Sequence, residues 1–222
     1  MIRPDLICVW PDTVDFPLFS KFLNEERDRF EKVIIVFSET NWGKLTVSKV
    51  MGDINDALFL PPLPTPPGED WRNFAVNRAL KHSFAQWIWF TEQDFTPKDG
   101  FFESVQKLEA ERKPDAMGIL EETRLHPCSL FIKRSVLEKT TKDFSANPEK
   151  GYDHFGKLWI DLEALPSKVR VGLLDPSLYT HMAGLTHNLH LLMQEKVPNY
   201  KPDEFYEYLQ KVVAYEQSKI ST

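Results

Sequence analysis

Apolar residues in this chain fall into two alternating patterns: short unbroken runs, and longer stretches where they recur at three- and four-residue steps. An unbroken run reads as a strand buried on both faces, and the stepped pattern reads as a helix with one inward stripe. Asp5 to Trp10 is the first predicted strand, ending at Pro11-Asp12. Asp15 to Phe30 has helical spacing, with Phe16, Phe19, Phe22, Leu23 and Phe30 mostly on one side. Lys32 to Phe37 is a second buried strand, ending in Ser38-Glu39. Strand, helix and strand in that order, with unbroken runs, predict a parallel α/β unit.

The pattern continues along the chain. Leu45-Thr46-Val47 opens either a strand or a helix, and Ala57 to Leu60 reads as a short strand. Pro61 to Gly68 holds five prolines and is a stiff loop. Asp70 to Ala85 is a helix with Asp70 as its N-cap, and a strand from Trp87 to Phe90 follows at once. Then come a helix over Pro97 to Arg112 and strands at Ala116 to Leu120 and Ser129 to Lys133. A short helix starts at Ser135, and an aromatic amphipathic helix lies within Gly151 to Leu165. A late strand, Val169 to Leu174, and a C-terminal helix, Asp203 to Tyr215, complete the list. The sum is an α/β, Rossmann-like fold with a mixed, mainly parallel sheet flanked by helices. Residues 1–195 form one domain and 196–222 a helical extension.

Composition narrows the function. A chain of 222 residues holds one large domain with a full core. Sixteen Phe and six Trp make that core bulky. A net charge of −6 argues against general nucleic-acid binding, which needs a basic face. The two cysteines, Cys8 and Cys128, lie in apolar stretches and read as small core residues, not as a disulfide framework or metal knuckle. No basic region followed by an apolar run opens the chain, and no apolar stretch approaches the roughly 18 residues of a membrane span. The expectation is a soluble protein of a reducing, cytoplasmic compartment. With nine glycines and no glycine-rich loop, a P-loop or dinucleotide fingerprint is absent.

The chemistry concentrates in Trp87-Ile88-Trp89-Phe90-Thr91-Glu92-Gln93-Asp94, where an apolar strand ends in two carboxylates one residue apart. Two acids there are too costly to bury unpaired, so they belong in the crevice beyond the carboxyl end of the sheet. Paired hard oxygens at that place suit a divalent metal and the phosphates it carries. On the preceding helix, Arg72, Asn73 and Asn77 have the donors to bind phosphate or sugar oxygens.

These pieces, in this order, resemble the family 2-like glycosyltransferases of the GT-A fold. The matching segments are Val9-Trp10-Pro11-Asp12, Ile34 to Glu39, the helix Ala75-Val76-Asn77-Arg78-Ala79-Leu80, and Glu92-Gln93-Asp94. Further on come Cys128 to Leu137, Tyr152-Asp153-His154, a late strand and Tyr179-Thr180-His181, so the likeness runs from about Asp5 to His190. It implies a metal-dependent transfer of sugar from a nucleotide-diphosphate donor to an acceptor hydroxyl, with inversion. By that resemblance Asp94 and His181 hold Mn2+ or Mg2+, and Asp153 is the general base. Pro11, Asp12, Ser38, Glu39, Arg72, Asn73, Asn77, Glu92 and Gln93 line the donor site. Three positions depart from the family pattern: Ser38 or Glu39 stands for the base-binding acid, Glu92 for the first acid, and Asp153-His154 for an acidic pair.

Other readings stay open. The departures fit a catalytically silent nucleotide-sugar-binding module. A nucleotidyltransferase shares the broad architecture but needs a glycine-rich basic loop that Pro11 to Asp15 does not supply. His181, His187 and His190 cluster late in the chain and raise a separate zinc site. His82 and His126 have no evident partner. Trp10, Trp42 and Trp71 are candidates for stacking on a base or sugar.

Overall fold

The computed structural model describes residues 2–11, 16–38, 45–121, 124–152 and 154–220. Seven strands form one sheet. They are β1 (Asp5–Pro11), β2 (Lys32–Ser38), β3 (Leu58–Leu60), β4 (Trp87–Thr91), β6 (Ala116–Glu121), β7 (Arg124–Lys133) and β8 (Val171–Leu173), in the order β3-β2-β1-β4-β7-β6-β8. All pairs are parallel except those that β7 makes with β4 and β6. Two short strands, β5 (Phe95–Pro97) and β9 (Tyr179–His181), pair antiparallel outside that sheet.

Both faces of the sheet are covered, which is why its inner strands carry unbroken apolar runs. Successive side chains point to opposite faces. On β4, Trp87 and Trp89 enter one core, and Ile88 and Phe90 enter the other. The first core receives the aromatic faces of α1 (Pro17–Glu25) and α4 (Phe101–Arg112), together with Val50 of α2 (Leu45–Asp53). Trp89 stacks on Phe131 of β7 at 4.8 Å and 7°, and its indole N–H donates to Ser129 Oγ at 3.0 Å. The second core receives α3 (Trp71–Leu80), α5 (Arg134–Leu137) and α6 (Gly156–Ala164). The last helix, α8 (Pro202–Ile220), lies against α1 and buries Phe205 and Tyr208 in the first core.

Several elements differ from the sequence pattern for local reasons. Leu45-Thr46-Val47 begins a helix, α2. The first helix stops at Glu25, and a 3-10 turn at Arg27–Arg29 returns the chain to β2; Arg27 pairs there with Asp56 at 2.7 Å. The predicted helix over Pro97 to Arg112 starts only at Phe101, because Gly100 before it has φ 83° and Phe95–Pro97 is held by β9. Asp70 caps α3 as expected, its carboxylate accepting from the amides of Arg72 and Asn73. Among the described residues, no helix is long and apolar enough to cross a membrane.

Candidate active site

The strand order places β2 on one side of β1 and β4 on the other, so the connections diverge beyond the carboxyl ends of these strands. In open α/β sheets that crevice is where ligands bind. Here it is a cavity of about 360 Å³. Val9 of β1, Ser38 of β2, Trp71 and Arg72 of α3 and Glu92, Gln93 and Asp94 after β4 contribute to its lining.

The turn holding the acids is fixed on several sides. Thr91 Oγ1 and the Glu92 amide both donate to the Cys128 carbonyl, at 3.1 Å each. Gln93 is 7% exposed and turns its amide back to β1, donating to Val9 O at 2.5 Å and Cys8 Sγ at 3.1 Å. Burial first, and the Glu92 charge second, push the Cys8 thiol well above its ordinary pKa, so it is a neutral packing group. Past the turn, the Asp94 carbonyl accepts the Met182 amide at 2.8 Å. Phe95 lies opposite His181 in the β5–β9 ladder, which is how distant parts of the chain meet.

The two acids have different surroundings. Glu92 Oε1 accepts from Arg72 Nη1 at 2.8 Å, and the Arg72 guanidinium lies 4.9 Å from the Trp71 ring. Asp94 Oδ2 stands 3.6 Å from His181 Nε2, and Asp94 Oδ1 is buried with no hydrogen-bond partner among the described residues. A second buried acid shows what this fold does with a structural carboxylate. Asp5, at the other end of the sheet, is 2% exposed, and its Oδ2 accepts from Ser83 Oγ and from the amides of Phe84 and Ala85 at 2.6–2.9 Å. An acceptor left without donors is costly unless a cation or ligand meets it. An oxygen and an imidazole nitrogen fit a divalent ion, so Asp94 and His181 pass that test.

Other predicted residues divide. Ser38 lines the cavity, with its hydroxyl donating to Trp10 O at 3.4 Å. Pro11 ends β1 in register with Ser38. Asp12, Glu39, Trp42 and Asp153 lie outside the described residues. The neighbours of Asp153 are anchored: the His154 carbonyl accepts from buried Arg124 at 2.7 Å, and Phe155 lines the cavity with φ 59°, an uncommon conformation for a bulky residue.

Asn73 and Asn77 have partners outside the cavity lining. Asn77 Nδ2 donates to Asn73 O, Asn73 Oδ1 and Lys142 O, and Asn73 Oδ1 accepts the Phe144 amide at 2.9 Å. Their amides buckle α3 to the loop before α6 and do not line the cavity. Trp10 packs in the core, fully buried against Phe16 and Phe19, whereas Trp71 is 43% exposed at the cavity. Of the late histidines, His187 Nε2 meets Asn199 Oδ1 at 3.1 Å, and the His190 side chain lies outside the described residues.

His181 has different company. Strand β7 begins at Arg124, before the apolar run starts, so His126 and Cys128 run beside the acidic turn. The His126 and His181 rings lie 5.0 Å apart, and His126 Nδ1 accepts the Cys128 amide at 3.0 Å. His126, Cys128 and His181 each offer a ligand atom, and these atoms lie within 4.8 Å of one another. The signal present in the sequence was a histidine and a cysteine two residues apart, His126 and Cys128. It was missed because His126-Pro127 breaks the apolar run.

No protein-family model matches the sequence, and no curated protein matches it. Among solved structures, the chain is similar to TarS 1-349 of S. aureus at 13% identity and TM-score 0.54, over 86% of this chain and 64% of that one. The same protein in complex with UDP-GlcNAc matches at 14% identity and TM-score 0.52, over 82% and 58%. Glucosyl-3-phosphoglycerate synthase from Mycobacterium tuberculosis, in complex with Mn2+, uridine-diphosphate and phosphoglyceric acid, matches at 13% identity and TM-score 0.57, over 86% and 75%. The chain thus spans less than two thirds of these TarS chains. The likeness is one of fold: the chain shares the GT-A fold with these proteins.

Proposed function

We propose that this chain is a glycosyltransferase that moves a sugar from a nucleotide-diphosphate donor to an acceptor hydroxyl, with a divalent metal and with inversion. The observation that carries the reading is Asp94: a buried carboxylate oxygen without a donor, beside His181, in a cavity at the carboxyl end of β4. The solved neighbours supply the donor class, since one is in complex with UDP-GlcNAc and another with Mn2+ and uridine-diphosphate. Asp94 and His181 would hold the ion, manganese or magnesium. When bound, the ion compensates the negative charge that grows on the leaving diphosphate.

The protein's own groups do the rest. Pro11, Asp12, Ser38 and Glu39, at the ends of β1 and β2, receive the base and ribose. Arg72 brings positive charge to the cavity and is aimed by Glu92. Gln93 fixes the acidic turn to β1. Asp153 is the general base: the acceptor oxygen bonds to the anomeric carbon, its proton passes to Asp153, and the bond to the diphosphate oxygen breaks with its electron pair. Support for that role is positional, from Phe155 at the cavity wall and the Arg124 anchor on His154. Residues 1–195 form the catalytic unit in this reading and 196–222 an extension. A reducing, cytoplasmic setting accords with the two single buried cysteines.

One observation favours a second reading, a nucleotide-sugar-binding module without catalysis: Glu92 is engaged by Arg72 and not open to a ligand. Incubation with a panel of sugar nucleotides, with release of nucleoside diphosphate measured by chromatography, separates the two. A transferase leaks some sugar to water, so release from at least one donor is expected, and Asp94→Ala abolishes it. No release from any donor, with binding intact, would establish the module and overturn catalysis.

A further inference from the structure

The histidine and cysteine beside His181 belong to no step above. We infer that His126, Cys128 and His181 form a sulfur- and nitrogen-rich centre beside Asp94, which takes zinc(II) or cobalt(II) in preference to the manganese or magnesium that Asp94 and His181 alone would hold. The inference rests on the reading of Asp94 and His181 as metal ligands, and it does not require sugar transfer.

Three observations converge. First, one ligand atom from each of His126, Cys128 and His181 falls within 4.8 Å of the others, with Cys128 fully buried and both histidines partly buried. Second, the separation between Asp94 Oδ2 and His181 Nε2, 3.6 Å, is too long for a good hydrogen bond. Donors each about 2.1 Å from one tetrahedral ion stand about 3.4 Å apart, which is close to that value. Third, Asp94 Oδ1, next to His181, has no donor among the described residues, so a buried acceptor that a cation satisfies lies beside the cluster.

The donor set decides the metal. Carboxylate and water oxygens suit magnesium and manganese, whereas a thiolate with two imidazoles suits zinc and cobalt. Main-chain bonds hold the set in place, because the Cys128 carbonyl is bonded to Thr91 and Glu92 where β7 shifts its register against β6. Binding has costs at these side chains. The Cys128 thiol releases its proton to solvent, and the hydrogen bond from the Cys128 amide to His126 Nδ1 is given up or its proton pattern changes. One neutral hydrogen bond is small beside the binding free energy of a multidentate zinc site.

The test is cobalt(II) spectroscopy on chelator-stripped full chain. One equivalent of cobalt is expected to produce a near-ultraviolet sulfur-to-cobalt charge-transfer band, which zinc removes stoichiometrically and excess magnesium does not. Cys128→Ser abolishes the band, and zinc affinity falls at least tenfold in Cys128→Ser and in His126→Gln, with circular dichroism checking that each variant folds. Cobalt binding without the band, or unchanged zinc affinity in a folded Cys128→Ser or His126→Gln protein, overturns the inference. A band in a protein that releases nucleoside diphosphate from no donor leaves the metal centre standing and removes only the transferase reading. Donor turnover with no band does the reverse.

Discussion

The Arg72–Glu92 pair is where charge on α3 meets the acidic turn, and its strength follows from the structure. Nitrogen and oxygen are 2.8 Å apart, and the side chains are 18% and 25% exposed. At an effective dielectric constant of about 20, two charges at that distance attract by about 6 kcal/mol. Most of this is offset by withdrawing both from water. Exposed pairs couple by roughly 0.2–1 kcal/mol, and losing one partner of a fully buried pair costs roughly 3–5 kcal/mol. A pair four-fifths buried, with Arg72 Nε also lacking a partner, falls between. A coupling of about 2 kcal/mol is expected from urea unfolding of the wild type, Arg72→Met, Glu92→Gln and the double variant. Arg72→Met also leaves Glu92 as an uncompensated acid and removes a cation facing an incoming diphosphate, so uridine-diphosphate affinity falls about tenfold, or about 1.4 kcal/mol. A coupling under about 0.5 kcal/mol, with affinity unchanged, would show that the pair is a solvated contact and refute its place in the site.

Other substitutions test the frame around the cavity. A Cβ at Gly156 would sit 2.6 Å from Tyr152 Cβ and 2.8 Å from the Asn147 amide nitrogen. Gly156→Ala should cost about 2 kcal/mol and lower the melting temperature by about 6 °C in a thermal melt, because backbone must move. Asn77→Ala removes the amide's contacts to Asn73 within α3 and its bond to the Lys142 carbonyl outside it. It should lose about 1–2 kcal/mol by urea unfolding while changing uridine-diphosphate affinity less than about twofold; a tenfold loss of affinity would return Asn77 to the donor site. The Arg170 fork, by hydrogen bonding first, holds the Asp115 carboxyl below its ordinary pKa of 3.8. That stabilisation is complete above the ordinary value and is lost as pH falls through the depressed one, so Arg170→Ala should weaken the acid limb of a stability-pH curve.

The inner strands were legible because a strand buried on both faces needs an unbroken apolar run, as in β1, β2 and β4. Asp70 was legible as a cap because its chemistry is local. The acidic turn was legible because two acids cannot end a buried strand without purpose. The first half of β7 was not, because Arg124, His126 and Pro127 interrupt its pattern where it leaves the second core for the site. The partners of Asn73 and Asn77 were not, because helix spacing gives a face but not the loop at Lys142 and Phe144 that meets it. Strands β5 and β9, three residues each, carry no periodicity; only their ladder brings His181 to Asp94.

Calorimetric titration of uridine-diphosphate into chelator-stripped protein, with and without saturating Mn2+, tests the metal–diphosphate site most directly. The wild type should bind only with the ion present, and Asp94→Ala should weaken that binding at least tenfold, by about 1.4 kcal/mol or more. The variant should be no less stable to urea, since the change removes a buried oxygen that has no protein donor. Equal affinity with and without Mn2+, or in wild type and Asp94→Ala, would contradict the account.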